Sequence, residues 1–406
     1  MSRIDELIAK YCPNGVEYKK LYEITFWDRN FKGTDKIIQP EIVTFKHVTA
    51  EYLRNIQQCP NGTITLLSTG NFSGKTDLSV VEDETIVNTG EILSIPSGGS
   101  ATIKYYQGDF IDSGNILAVS SDVKLYSLKY IYHYLLEKKD IVSKFFRGAG
   151  IKHPSMLDIL QLSLPVPPLP VQEEIVKILD SFTELEAELE AELEARKKQY
   201  EYYRGELLNP ENMVGDIELL KLGDVATLIN GRAYKQDELL SEGKYKVLRV
   251  GNFFSNDKWY FSNLELDEDK YCLYGDLLYA WSASFGARIW DEEKTIFHYH
   301  IWKIKTSDKL NKRYLMFLLN SITQNLKNDT GHGATMVHIT KQKMEQTIIP
   351  VPALAEQDRI VAILDKFDAL VNDISVGLPA EIAARRKQYE YWRNKLLTFP
   401  EGACDA

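Results

Sequence analysis

The chain has 406 residues with 48 Lys and Arg against 58 Asp and Glu, a formal charge of −10, and at roughly 100 to 200 residues per domain it exceeds a single small domain. Hydrophobic residues make up 44% and charged residues 26%, no apolar run approaches the ~20 residues that cross a bilayer, and the start MSRIDELIAKYCPNG lacks the basic-then-apolar order of an export signal. Cys12, Cys59, Cys272 and Cys404 form no CxxC pair, which suits a reducing cytoplasm and argues against a disulfide scaffold or zinc ribbon.

Taken in chain order, the pattern predicts four stretches. Residues 1–164 read as a globular unit with strands at 102–106 and 115–121 and a helix at LKYIYHYLLEK. Pro165, Pro167, Pro168 and Pro170 end it, because proline continues neither a helix nor a central strand. Residues 165–210 follow as a rod: Ile175, Ile178, Phe182, Leu185 and Leu189 step by three and four, the seam of a coiled coil. A helix over 171–208 would be roughly 57 Å long. Residues 211–349 read as a second globular unit, with strands at 246–250 and 300–306 and a helix at KRYLMFLLNSI. Residues 350–406 form a second rod, with Ile360, Ile363, Phe367, Leu370 and Ile374 at the same steps and a break expected at Gly377-Leu378-Pro379. The class expected is α+β.

The excess acid is local. Residues 1–170 carry 18 basic against 19 acidic side chains, and 211–350 again 18 against 19, whereas 171–210 carry 5 against 11. A near-neutral domain can present a basic face to DNA, and an acidic rod is poorly suited to touching phosphates.

An internal repeat organises the chain. PVPPLPVQEEIVKILDSF from Pro165 lies ungapped over PVPALAEQDRIVAILDKF from Pro350, and ARKKQYEYYRGELL from Ala195 matches ARRKQYEYWRNKLL from Ala384. The offsets, 185 and 189, differ by about one helical turn. Leu185, Leu189 and Leu193 open the tetrapeptide tract LEAE-LEAE-LEAR. The globular stretches repeat faintly: VEYKKLYEI with IELLKLGDV, Gly70-Asn71-Phe72 with Gly251-Asn252-Phe253, Gly90-Glu91-Ile92-Leu93 with Gly275-Asp276-Leu277-Leu278, and Gly148-Ala149…His153 with Gly333-Ala334…His338. The rods therefore share one task, and the globular units do related but different ones.

Catalytic motifs are not supported. Gly70-Asn71-Phe72-Ser73-Gly74-Lys75-Thr76 is one residue short of a phosphate loop, and no dinucleotide fingerprint follows a strand. His298-Tyr299-His300 would set two imidazoles on one strand face, without a third ligand at a sensible spacing. The acidic run 265–270 reads as a solvated loop. No metal and no catalytic residue is expected. The loops Asp28-Arg29-Asn30-Phe31-Lys32-Gly33 and Asn230-Gly231-Arg232-Ala233-Tyr234-Lys235 each set arginine, an aromatic and lysine beside glycine, and Ser94-Ile95-Pro96-Ser97-Gly98 has its counterpart in Tyr279-Ala280-Trp281-Ser282-Ala283. Arginine reads guanine edges and lysine holds phosphates. Taken singly each loop reads as a surface turn; recurrence in both halves favours DNA.

The doubled pair IPVPALAEQDRIVAILDKFDAL and ARRKQYEYWRNKLL resembles the conserved regions of the specificity subunit of type I restriction-modification enzymes. The resemblance spans the chain. It implies two target recognition domains, separated by two long antiparallel helices in a coiled coil, related by a pseudo-twofold internal repeat. Each domain would read half of a split site in double-stranded DNA, with the LEAE tract setting the gap. Two methyltransferase subunits, which carry S-adenosylmethionine, and two motor-nuclease subunits would be its partners, in the cytoplasm and away from any membrane. This chain would be non-catalytic and hold no cofactor. The residues carried over as DNA contacts are Arg29, Phe31, Lys32, Ser97, Arg147, Lys152 and His153, then Arg232, Tyr234, Lys235, Trp281, Ser282, His332, Thr335 and His338. Those expected at the helix-pair or partner interface are Ile175, Ile178, Phe182, Leu185, Leu189, Tyr200, Tyr203, Ile360, Ile363, Phe367, Tyr389 and Trp392. Two departures from the family pattern are the Gly377–Pro379 interruption and an early end at EGACDA. The competing readings are a standalone DNA methyltransferase or nuclease, which would need a cofactor loop or metal cluster, and a coiled-coil scaffold without a DNA role.

Overall fold

A computed structural model describes residues 2–70, 72–328 and 338–402. Contacts group the chain into one unit of Met1–Glu188 with Ile382–Ala406 and another of Leu189–Glu381. Both rods are shared between the units, and the first is divided inside the LEAE tract.

In the first unit, strand Glu17–Lys20 pairs antiparallel with Ser163–Val166, joining the beginning and end of the globular stretch. Between them a six-stranded sheet runs in the order Thr25–Trp27, Asn115–Ser120, Asn88–Pro96, Lys104–Ser113, Ile64–Ser68, Ser73–Thr76. Side chains of a strand alternate between faces. Accordingly Leu93 and Ile95 join the core with Leu128, Ile131 and Leu135 of helix Leu128–Glu137, while Ile92 packs with Leu67, Phe110 and Leu117. Burial on both faces explains why EILSIP is an almost unbroken apolar run. The segment that falls one residue short of a phosphate loop includes the edge strand Ser73–Thr76, which pairs with Ile64–Ser68 and is followed only by a single 3-10 turn, Leu78–Val80; its Asn71 lies outside the described residues.

The second unit repeats the base and the order of four strands but divides its strands between two sheets. Ile217–Lys221 pairs with Ile348–Pro352 as the opening and closing strands. One four-stranded sheet has the order Ala226–Asn230, Ile301–Thr306, Leu277–Ser282, Ser284–Ile289, and a second has Tyr260–Ser262, Tyr245–Leu248, Thr295–Phe297, Tyr271–Cys272. Helix Lys312–Asn328 covers the first sheet, its Leu315, Leu318 and Leu319 in one core with Tyr279 and Trp302.

The repeat is physical as well as textual. Gln172 and Gln357, 1% and 0% exposed, occupy equivalent positions and make equivalent bonds. The Gln172 amide donates to the carbonyls of Leu125 (2.8 Å) and Pro167 (2.7 Å) and its oxygen accepts from Ser127 N (2.9 Å). Gln357 donates to Lys309 O and Pro352 O, both at 2.8 Å, and accepts from Asn311 N at 2.8 Å. Tyr130 and Tyr314 each donate at 3.0 Å to a rod-preceding proline carbonyl, Pro165 and Pro350. Lys129 pairs with Asp180 at 2.6 Å, as Arg313 does with Asp365 at 2.6 Å. Each rod is thus tied at its start to the helix of the preceding globular stretch.

The first rod is one helix of 40 residues, Leu169–Leu208. The second is two, Leu354–Asn372 and Leu378–Leu396. The break falls slightly earlier than expected: Leu378 and Pro379 open the later helix, where proline loses no hydrogen bond. Gly377 lies in the turn because an added Cβ would sit 2.3 Å from Ala369 O and 2.7 Å from Leu370 O. Ile374, expected in the seam, is 85% exposed beyond the helix end. Phe182 meets Tyr389 at 6.3 Å and Glu186 pairs with Arg386 at 2.5 Å, so the two rods run antiparallel in the first unit. Ile175 is buried, and Ile178, Tyr389 and Trp392 pack around that core. In the second unit Phe367, the repeat partner of Phe182, meets Tyr200, the partner of Tyr389, again at 6.3 Å, and stacks on Tyr203 at 5.5 Å. Ile360 is buried there, while Leu185, Leu189 and Ile363 are half-buried in their own units. The C-terminal segment returns to the first unit: Val16 N donates to Pro400 O (2.9 Å), Gly402 N to Val16 O (3.1 Å), and the Tyr18 hydroxyl to Phe399 O (2.8 Å).

Candidate nucleic-acid interface

In the first unit the ends of four neighbouring strands converge. Asn115 pairs with Pro96 and Ser68 with Ser113. Ser97 N donates to Gly114 O at 3.3 Å, and Lys104 Nζ donates to Ser68 O and Gly70 O at 2.7 and 2.8 Å. Onto this rim folds a two-stranded hook in which Arg147 pairs with His153. Gly99 N donates to Lys152 O at 2.8 Å, and His153 Nδ1 to Ser97 O at 2.7 Å. Ser97, Arg147, Lys152 and His153 are therefore neighbours, and the last three are exposed. Arg147 shares an ion pair with Asp158 at 2.9 Å yet keeps 67% of its side chain in solvent.

Arg29 reaches the same rim by donating to Asn115 O at 2.5 Å. Beneath it, His47 bridges two carboxylates whose side chains are fully buried, Asp28 at 2.8 Å and Asp112 at 2.7 Å. Asp112 also accepts from Asn115 Nδ2 at 2.6 Å and Asp28 from Leu117 N at 3.0 Å. Hydrogen bonds to Asp112, then to Asp28, raise the His47 imidazole to about 9, so it is a cation at neutral pH. Phe31 has a different place from the one expected: it is half-buried, edge-on to Trp27 at 6.3 Å and part of the core packing. Lys32 is exposed beside it.

In the second unit Arg232 is held bidentately by Glu238 at 2.7 and 2.9 Å and lies over the Tyr234 ring. Arg232 keeps Glu238 down at about 2. Tyr234 stacks on His298 at 6.3 Å and is half-buried, whereas Lys235 is exposed. Trp281 stacks on Trp302 at 5.5 Å, stands edge-on to His300 at 5.0 Å and His338 at 5.8 Å, and donates through Nε1 to Tyr299 O at 3.0 Å. Ser282, expected to be presented to a ligand, is 1% exposed, its hydroxyl without a hydrogen-bond partner among the described residues. The strand alternation that leaves Trp281 half-exposed turns Ser282 inward. His338 is exposed and bridges to Ser282. His332 and Thr335 lie outside the described residues.

The link between the Arg232 and Trp281 loops is His298-Tyr299-His300. Expected on a strand face, it is instead the turn by which the chain leaves Thr295–Phe297 in one sheet and enters Ile301–Thr306 in the other. Tyr299 N donates to Arg232 O at 3.1 Å and Trp281 N to His300 O at 3.1 Å. Burial, then His300 and Arg249, lowers the His298 imidazole to about 4, and burial followed by His338 lowers His300. No grouping of three or more His, Cys, Asp or Glu among the described residues is set to hold a metal, and no helix described is long and apolar enough to cross a membrane. Asp28, His47, Asp112 and Asn115 were missed by sequence reasoning, and the two histidines were read as bland. Only the HYH triplet carried a signal.

Residues 32–195 and 215–384 each match the family described as type I restriction modification DNA specificity domain. A putative type I restriction enzyme specificity subunit of Haemophilus influenzae is 33% identical over 336 residues, covering 78% of this chain and 85% of that protein. The EcoR124I/EcoR124II specificity subunit of Escherichia coli is 29% identical over 313 residues, covering 70% and 74%. The crystal structure of a type I S subunit from M. genitalium shares the fold, with a TM-score of 0.62 at 15% identity over 95% of this chain and 97% of that one. With two matched domains filling most of its length, the chain belongs to the type I restriction-modification specificity subunits.

Proposed function

We propose that each globular unit reads one half of a split duplex site and that the rods fix the gap between the halves. The observation that carries this is the contrast between repeated and diverged parts: the glutamine, tyrosine and ion-pair ties at the rod starts recur in both units, while on matching strand ends the loops differ, Ser97 under a Lys152–His153 hook in one and Trp281 against a His298–His300 turn in the other. Arg29, Lys32, Ser97, Arg147, Lys152 and His153 would serve one half-site, and Arg232, Tyr234, Lys235, Trp281 and His338 the other. Phe31 and Ser282 would support from behind. Arginine and lysine on such rims contact base edges and phosphates.

One tetrapeptide step lengthens a helix by ~6 Å, close to two base pairs at ~3.4 Å each, so the LEAE tract can alter the gap without touching either rim. The chain assembles with the other subunits of its system: methyltransferase subunits, which bring S-adenosylmethionine, and motor-nuclease subunits, two of each. It makes and breaks no bond itself, and the cytoplasm is its place of work. The test is selection from a random duplex library by the full chain purified with its methyltransferase partner. Two fixed half-sites at a constant gap are expected; enrichment of no motif, or of one continuous half only, refutes the reading.

A further inference from the structure

Beside the Trp281 rim the second unit has an open recess of about 280 Å³, lined by Arg249, Asn252, Lys258, Tyr260, His298 and His300 among others. We propose that this recess is a phosphate site that seats a backbone phosphodiester of DNA and takes up protons as it fills. The inference rests on the DNA reading above and adds to it a named contact and a pH linkage.

Charge is the first argument. Arg249 and Lys258 are exposed, and among the described residues neither has a carboxylate within ion-pair distance. Elsewhere in the unit Arg232, Lys244, Lys246, Arg288 and Lys294 each have one; Lys235 and Lys305 have none among the described residues, so what sets Arg249 and Lys258 apart is that both line one recess. Arg249 lies over the Tyr260 ring at 5.3 Å, which orients the guanidinium without neutralising it. Lys258 is carried on a loop fixed from within, since Asn252 Nδ2 donates to Asn256 O and Lys258 O at 2.8 and 2.9 Å. Two cations left uncompensated at one recess are suited to an anion.

The imidazoles are the second argument. His298 faces Arg249 and Tyr260 from the walls, Tyr234 and Arg232 from the neighbouring loop, and Tyr299 and His300 on its own turn. His300 faces Trp281 at 5.0 Å and His338 at 6.2 Å. None of these neighbours is an anion at neutral pH. A second positive charge is disfavoured until a phosphate arrives, and its arrival makes protonation favourable. A guanine edge could take the Arg249 guanidinium alone, whereas a phosphate takes charge from both cations and from the imidazoles.

The test uses the full chain, the selected duplex and a scrambled duplex of equal length, with affinity followed by fluorescence anisotropy over a salt series. Arg249→Gln and Lys258→Gln should each lower the slope of log affinity against log salt, and together by about 0.9, the share of one phosphate contact, equally on both duplexes. Both side chains are exposed, so the variants should fold; far-UV circular dichroism verifies this. Calorimetry of the unmodified chain in two buffers of different ionisation heat should show proton uptake on DNA binding near pH 6, reduced in Arg249→Gln. Millimolar inorganic phosphate distinguishes the sources: it should displace DNA weakly, whereas displacement as effective as that by duplex assigns the recess to a free anion and overturns the proposal. Unchanged salt slopes, absent proton uptake, or an effect confined to the selected duplex overturn it too, the last pointing to a base. If the chain instead prefers neither duplex while the slopes still fall, the half-site reading fails and the phosphate site stands.

Discussion

Replacing His47 by Gln tests whether the rim of the first unit is held by a charged imidazole set on two buried carboxylates. The imidazole is raised from 6.5 to about 9 by bonds to Asp112 and Asp28. At ~1.4 kcal/mol per pH unit that difference corresponds to roughly 3 kcal/mol, and solvent screening lowers it to about 2 kcal/mol, because the ring is 25% exposed. The folded value lies above the unfolded one, so the contribution is fully present below about pH 6.5 and is lost as pH rises through about 9. Glutamine cannot be protonated and leaves two buried carboxylates facing one another. Urea denaturation followed by far-UV circular dichroism, at pH values from about 6 to 9.5, should show the earliest transition of His47→Gln destabilised by about 2 kcal/mol at the acid end. The gap to the unmodified protein should close toward the alkaline end. Asp28→Asn combined with His47→Gln should recover part of the loss, since one carboxylate is gone. A gap that stays constant across the range, or a double variant no more stable than the single, refutes the charged bridge.

Gln357→Leu should cost about 2 to 3 kcal/mol by stranding Asn311 N, Lys309 O and Pro352 O in the interior, and Gln172→Leu should cost the first unit as much; denaturant midpoints of the two variants and their combination should add. Phe367→Ala should cost about 2 kcal/mol, below the range for a fully buried ring, because it uncovers Tyr200 and Tyr203; denaturation checks it. Deleting residues 189–192 should shorten the preferred gap and leave both half-sites intact, read by library selection or by mapping modified adenines in cells, and altered half-site letters would refute the division of labour. Trp281→Ala should weaken preference for one half-site and spare the other, whereas equal loss at both halves would place Trp281 outside the reading rim.

Much of the plan was legible before any coordinates because its signals are local and periodic. The seam Ile175, Ile178, Phe182 and the repeat offsets of 185 and 189 depend only on spacing along a helix, and a helix pairs neighbours three and four apart whatever lies around it. Gly377 and Pro379 punctuate the second rod for equally local reasons. Ile374 had the correct spacing and the wrong outcome, since a seam position has meaning only while the helix continues. The loop residues were harder. Phe31 and Ser282 have the composition of contact residues, yet whether such a side chain turns outward depends on which face of a sheet the strand buries. His47 carries no motif at all; its partners Asp28 and Asp112 lie 19 and 65 residues away, and only strand pairing brings them to one imidazole. The HYH triplet was visible as letters, but its place between two sheets was not.

The amino-acid order alone determined two unlike heads on two like rods, because helical period, proline punctuation and duplication are written along the chain. Tertiary structure alone decided which head residues meet, which arginine is free and which is paired, and where the histidines carry charge. Those properties arise from side chains far apart in sequence and close in space, where burial and neighbouring charge, rather than residue type, set what each group can do.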